Sequence, residues 1–132
     1  MPLKSLIESL AAASDTAVML TDGGLEPPGP RILYVNAAFE RMTGYRAKEV
    51  VGRDPRFLQG PGTSVAARKR LGRALRAGVR CRVVIVNYRK SGEAYRCAID
   101  LHPIPAPGGG LIGAVALERE VERKPGRPVR QD

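Results

Sequence analysis

The run Gly52-Arg53-Asp54-Pro55-Arg56-Phe57-Leu58-Gln59-Gly60-Pro61 is the centre from which the rest of the chain is read. Just before it, Arg46 to Val50 supplies one short helical turn that ends ahead of Gly52. Just after it, Gly60-Pro61-Gly62-Thr63 leads into a basic helix, and backbone amides at such a helix N-terminus favour phosphate. The segment lacks the lysine and the spacing of a nucleotide-binding P-loop, so it reads as a connecting loop. From Thr63 or Ser64 to Ala77, the positions Ala67, Leu71, Ala74 and Leu75 share one helical face, the arginines lie elsewhere, and Gly78 supplies the stop.

Upstream, Ala17 to Asp22 and Arg31 to Asn36 are strand candidates joined by the glycine- and proline-rich segment 23–30, which must turn. Asn36 can cap a helix from Ala37 to Met42 that ends at Gly44. Still earlier, Leu3, Leu6, Ile7 and Leu10 recur at helical spacing, predicting an amphipathic helix over 3–13 outside the main core. It serves either as a flap on its own sheet or as a dimer-forming cap, and periodicity does not choose between them. Downstream, Arg82 to Tyr88 and Glu93 to Ile104 flank Lys90-Ser91-Gly92 as an antiparallel hairpin. Pro103, Pro105, Pro107 and Gly108-Gly109-Gly110 then break the strand before a last one from Leu111 to about Val121. Residues 122–132 carry one apolar residue and two prolines, the composition of a disordered basic tail.

The bulk properties bound the function. A chain of 132 residues with 43% hydrophobic and 27% charged residues fits one globular domain. No apolar run approaches the roughly 18–20 residues needed to span a bilayer, and Met1-Pro2-Leu3-Lys4 does not open a signal peptide, so a cytoplasmic location is expected. Cys81 and Cys97 are too few for a disulfide scaffold and, with His102 the single histidine, do not make a zinc site. The net charge of +9 comes from scattered arginines, and the four tyrosines form no stacking platform, so polyanion binding is a minor alternative and nucleic acid an unlikely partner. His102 between Leu101 and Pro103 has no nucleophile motif around it, which argues against an enzyme.

Residues about 16–121 resemble a PAS domain, and the likeness narrows to the light-oxygen-voltage group. Gly52 to Pro61 is similar to that group's Gly-Arg-Asn-Cys-Arg-Phe-Leu-Gln-Gly-Pro run; Asn87-Tyr88-Arg89-Lys90-Ser91-Gly92 and Ile112-Gly113 are further points of likeness. Asn36-Ala37-Ala38-Phe39 with Thr43-Gly44-Tyr45 is common to PAS domains generally. The resemblance implies an α+β fold, a five-stranded antiparallel sheet with helices on one face and a pocket between them. It also implies flavin mononucleotide (FMN) as cofactor, with Arg56 against the phosphate, Asp54 and Gln59 along the ribityl chain, and Asn87 at the polar edge of the ring. The output would pass to a second copy or to a downstream signalling protein acting in trans.

Four departures weaken the family chemistry. Pro55 occupies the place of the cysteine that bonds to the flavin in light, so no thiol adduct forms there. Cys97 and Val115 stand where two amide side chains would meet the ring, and Gly72 replaces a second phosphate-binding arginine that Arg73 or Arg76 can substitute. Cys97 offers a sulfur beside the ring, although a strand cysteine more often fills space. The expected function is therefore a sensory domain, flavin-dependent without adduct photochemistry and capable of light-driven electron transfer. A PAS interaction or dimerisation module with no flavin, or with a different ligand, is the alternative.

Overall fold

The structure, a computed structural model, describes residues 2–26 and 29–121. The expected tail lies outside the described residues. Chain order is α1 (Pro2–Ala11), β1 (Ala17–Asp22), β2 (Ile32–Val35), α2 (Ala37–Thr43), α3 (Ala47–Val50), a 3-10 turn (Pro55–Leu58), α4 (Val65–Ala77), β3 (Cys81–Tyr88), β4 (Ala94–Pro105) and β5 (Leu111–Glu120). The strands form one antiparallel sheet in the order β2-β1-β5-β4-β3.

Local chemistry explains most boundaries. Asn36 caps α2 by accepting from the Phe39 amide, and Ser64 caps α4 by accepting from the Ala67 amide. Both helices end on a left-handed glycine, Gly44 and Gly78. Strand β4 runs through Pro103 to Pro105, beyond the break expected at the prolines. Pairing with β3 stops where Cys81 meets Leu101, so this part of β4 is an edge on that side and missing N–H groups are tolerated there.

Helices α2, α3 and α4 and the 3-10 turn cover one face of the sheet. Phe39, Ile32 and Val50 are completely buried beneath them, in a core shared with Met19, Ile85 and Leu58. The other face receives α1 at its β1–β2 end, where Glu8 lies near Tyr34, the cross-strand partner of Leu20. Asn36 fixes this arrangement through all its hydrogen-bonding capacity. Its Oδ1 accepts from the Val18 amide at 2.9 Å and the Phe39 amide at 3.1 Å. Its Nδ2 donates to the carbonyls of Ala11 at 3.0 Å and Thr16 at 2.9 Å, tying the end of α1 to β1 and α2. The flap position of the helix is thus realised within one chain, while Leu6 and Leu10 stay 55% and 73% exposed.

Candidate functional site

Between the sheet and the helical layer lies a cavity of about 800 Å³. Its walls are mainly apolar, with Met19, Leu58, Leu71, Ile85, Ile99 and Leu101 among them. The four residues expected at the site, Asp54, Arg56, Gln59 and Asn87, all line it. Volume and lining suit a flat, mostly apolar ligand with a few polar anchors.

The motif reaches the cavity because both its ends are pinned. At the start, the Arg31 guanidinium donates to the Gly52 carbonyl at 2.7 Å, and Ile32 exchanges backbone hydrogen bonds with Gly52 and Arg53. Phe57 packs edge-on against Tyr45 and under the Arg53 guanidinium. At the far end the Thr63 hydroxyl donates to the Val86 carbonyl at 2.6 Å, and the Gly62 amide donates to the Tyr88 hydroxyl at 2.7 Å. Gly60 is required here, since a Cβ at that position would stand 2.4 Å from Tyr88 Cε1.

Within this frame Asp54 and Arg56 engage each other. One Asp54 oxygen accepts from the Arg56 amide, capping the 3-10 turn; the other accepts from Nε at 2.9 Å and Nη2 at 2.5 Å of the guanidinium. The carboxylate raises the guanidinium's pKa above its usual value. Arg56 thus compensates the Asp54 charge, and its fork, 63% exposed, stands at the cavity rim. Arg68, Lys69, Arg73 and Arg76 line the same rim from α4, on either side of Gly72. The expectation that Arg73 or Arg76 reaches the place of an arginine at 72 is compatible with this arrangement. Pro55 also lines the cavity, at the first position of the 3-10 turn.

On the sheet side, Asn87 is buried on β3 and lines the cavity. The expectation for Val115 is corrected, whereas Cys97 keeps the space-filling role usual for a strand cysteine. Cys97 is completely buried, and its thiol donates to Glu118 Oε1 at 3.6 Å. Burial, reinforced by Glu118, raises the thiol's pKa, so it remains neutral and functions as a space-filling group. Val115 pairs with Leu20, whose other partner is Tyr34, and these three share the α1 side of the sheet. The cavity residues of β5 are instead Ala114, Ala116 and Glu118. A register irregularity at Ile104/Pro105 accompanies this phase, and a one-residue change of phase exchanges the faces of a strand.

Glu118 is the buried cavity residue that sequence reasoning missed. It is 4% exposed, its carboxyl is pushed up to about 7 by burial, and its hydrogen-bond partner is the weak Cys97 donor. The alternation Ala114, Ala116, Glu118 was the available signal, but a glutamate on a strand ordinarily faces water. Nearby Tyr95 is buried, which raises its phenol's pKa. Arg89 lies over its ring at 4.3 Å, donating also to the Met42 carbonyl and to the Glu93 and Glu120 carboxylates. Arg89 therefore joins the end of α2, the β3–β4 turn and the end of β5. His102 lies 3.1 Å from Asp100 in the partly exposed cluster that also holds Arg80. Among the described residues no acidic, histidine or cysteine cluster could hold a metal, and no helix is long and apolar enough to cross a membrane.

Comparison with known proteins agrees with this geometry. The PAS domain family model matches residues 15–123. A blue-light-activated histidine kinase of Brucella anthropi is 35% identical over 102 residues, which are 77% of this chain and 21% of that protein. The chain therefore spans about a fifth of the length of that curated relative. Among solved structures, the LOV (light-oxygen-voltage) protein of Rhodobacter sphaeroides superposes with a TM-score of 0.84 at 27% identity, covering 96% of this chain and 71% of that one. The LOV domain of the Erythrobacter litoralis EL346 blue-light activated histidine kinase gives 0.74 at 31% identity, covering 82% of this chain and 97% of that one. With the sheet order, the pinned motif and the cavity already in place, the chain belongs to the PAS family and, within it, to the light-oxygen-voltage group.

Proposed function

We propose that the chain is a flavin-binding blue-light sensory domain that works without a cysteinyl adduct. The observation that carries this reading is the convergence of Asp54, Arg56, Gln59 and Asn87 on one apolar-walled cavity with a cationic rim. A bound flavin would supply blue absorption and electron-accepting chemistry. The chain's own residues hold and orient it. Asn87 hydrogen-bonds the polar ring edge, Gln59 faces the ribityl chain, and Arg56 turns its fork to the phosphate. The Arg56 guanidinium is 63% exposed and Asp54 partly so, so turning the fork from the carboxylate to a phosphate costs little. Lys69, Arg73 and Arg76 reinforce the phosphate end and compensate for Gly72.

Pro55 faces the same cavity without a thiol, which supports a response by electron transfer rather than bond formation. Its output passes to a second copy or a downstream protein through the exposed leucines of α1. Titration of the purified chain with FMN and with riboflavin tests the reading. FMN should bind at micromolar concentration or tighter, and roughly tenfold or more above riboflavin, because charge-assisted hydrogen bonds contribute about 1.5–3 kcal/mol. Arg56→Gln should narrow that difference. Failure to take up either flavin would leave an interaction module in its place.

A further inference from the structure

We propose that Glu118, in its protonated form, is the ring-edge recognition group of this cavity. It would supply the donor and acceptor that amide side chains provide in the light-oxygen-voltage pattern and that Cys97 and Val115 cannot. The inference rests on the flavin reading and assigns the contact that the reading leaves open.

The geometry is specific. Among the described residues, Glu118 is the one charged type that is buried, and it lines the cavity. Its carboxyl touches the Cys97 thiol from β4, a weak donor that leaves most of its bonding capacity unused. Tyr95 from β4 is the nearby phenol, Asn87 from β3 is uncharged, and β1 contributes Met19 and Thr21. From the helical layer, Arg56, Arg68, Lys69, Arg73 and Arg76 are exposed rim cations, and Asp54 is bound to Arg56. Among the described residues no hydrogen-bonded cation neutralises the carboxyl, and burial pushes it up to about 7, so the neutral form prevails below that pH.

A neutral carboxyl carries one O–H donor and one carbonyl acceptor, the pattern of a carboxamide. That pattern matches a heterocycle edge on which N–H and C=O alternate, as the flavin's pyrimidine edge does. Ionised, the group only accepts, and it would set a buried negative charge against the ring carbonyls. The protonated cavity should therefore be the binding form.

The test is the affinity for riboflavin, measured by fluorescence quenching between pH 6 and 8.5, for the wild type, Glu118→Gln and Glu118→Leu. Riboflavin has no phosphate, so ligand phosphate titration does not enter. Wild-type affinity should be flat below pH 7 and fall towards about tenfold per unit above it, as one-proton linkage requires. Glu118→Gln should keep the low-pH affinity throughout, and Glu118→Leu should bind at least tenfold more weakly at pH 6. Circular dichroism melting of each ligand-free protein verifies that the variants fold. Wild-type binding that ignores pH, or undiminished binding by folded Glu118→Leu, overturns the inference and leaves the flavin reading intact. No uptake of riboflavin or FMN by any of the three proteins at any pH overturns both.

Discussion

At the scale of single residues, the two informative side chains are buried polar groups with opposite degrees of satisfaction. Asn36 uses every donor and acceptor it has. Asn36→Ala should cost roughly 2–3 kcal/mol by urea unfolding with an unchanged m-value, because it strands backbone groups of α1, β1 and α2 together. Glu118 is nearly unsatisfied. Its folded pKa of about 7 exceeds the ordinary 4.5, so the folded state binds the proton more tightly and stability is lost as pH rises from about 4.5 to 7. Glu118→Gln should remove that loss. In ligand-free protein it should be more stable than wild type at pH 8 by about 3 kcal/mol, a difference that vanishes near pH 4.5 in parallel denaturation curves. The capping role of Asn36 was legible from Asn36-Ala37-Ala38-Phe39; its bonds to Ala11, Thr16 and Val18 join residues far apart in sequence and leave no local trace.

At the scale of elements, helices and strands were readable where a start or stop signal coincided with a change of hydrophobic period. Ser64 and Gly78 bound α4, and Lys90-Ser91-Gly92 turns the β3–β4 hairpin as its residues require. The phase of β5 was not readable. Ala114, Val115 and Ala116 are similar in polarity, so nothing local says which of them faces the cavity. The loop between the 3-10 turn and α4 likewise depends on a tertiary contact, the seating of Gly60 against the Tyr88 ring. Gly60→Ala should destabilise by about 1–3 kcal/mol in thermal or urea unfolding. Adding Tyr88→Leu should recover part of that loss, because the clash is with the ring; strictly additive losses would contradict the contact.

At the scale of the whole molecule, the cavity and α1 lie on opposite faces of one sheet. The cavity, its cationic rim, Asn87 and Glu118 lie on the helical face, whereas α1 lies across the opposite face and is linked to α2 by Asn36. Arg89 bridges the same helix to the end of β5, two residues beyond Glu118. A change of charge or hydrogen bonding in the cavity therefore has short covalent and hydrogen-bonded routes to the surface. The fold and four cavity residues were legible because the motif carries them in one run with Asn87 at a familiar distance. The self-pairing of Asp54 with Arg56 and the inward glutamate emerge only when the sheet is assembled.

On the proposed reading, Pro55 lines the cavity in place of the adduct-forming cysteine and alone withholds that reaction. The most direct measurement is the absorption spectrum of FMN-loaded Pro55→Cys and wild type before and after blue illumination. The account predicts that both take up FMN, that the variant's blue band bleaches and recovers in the dark, and that the wild type shows no such thiol-dependent cycle. A loaded Pro55→Cys protein whose spectrum responds to light no differently from wild type would contradict it.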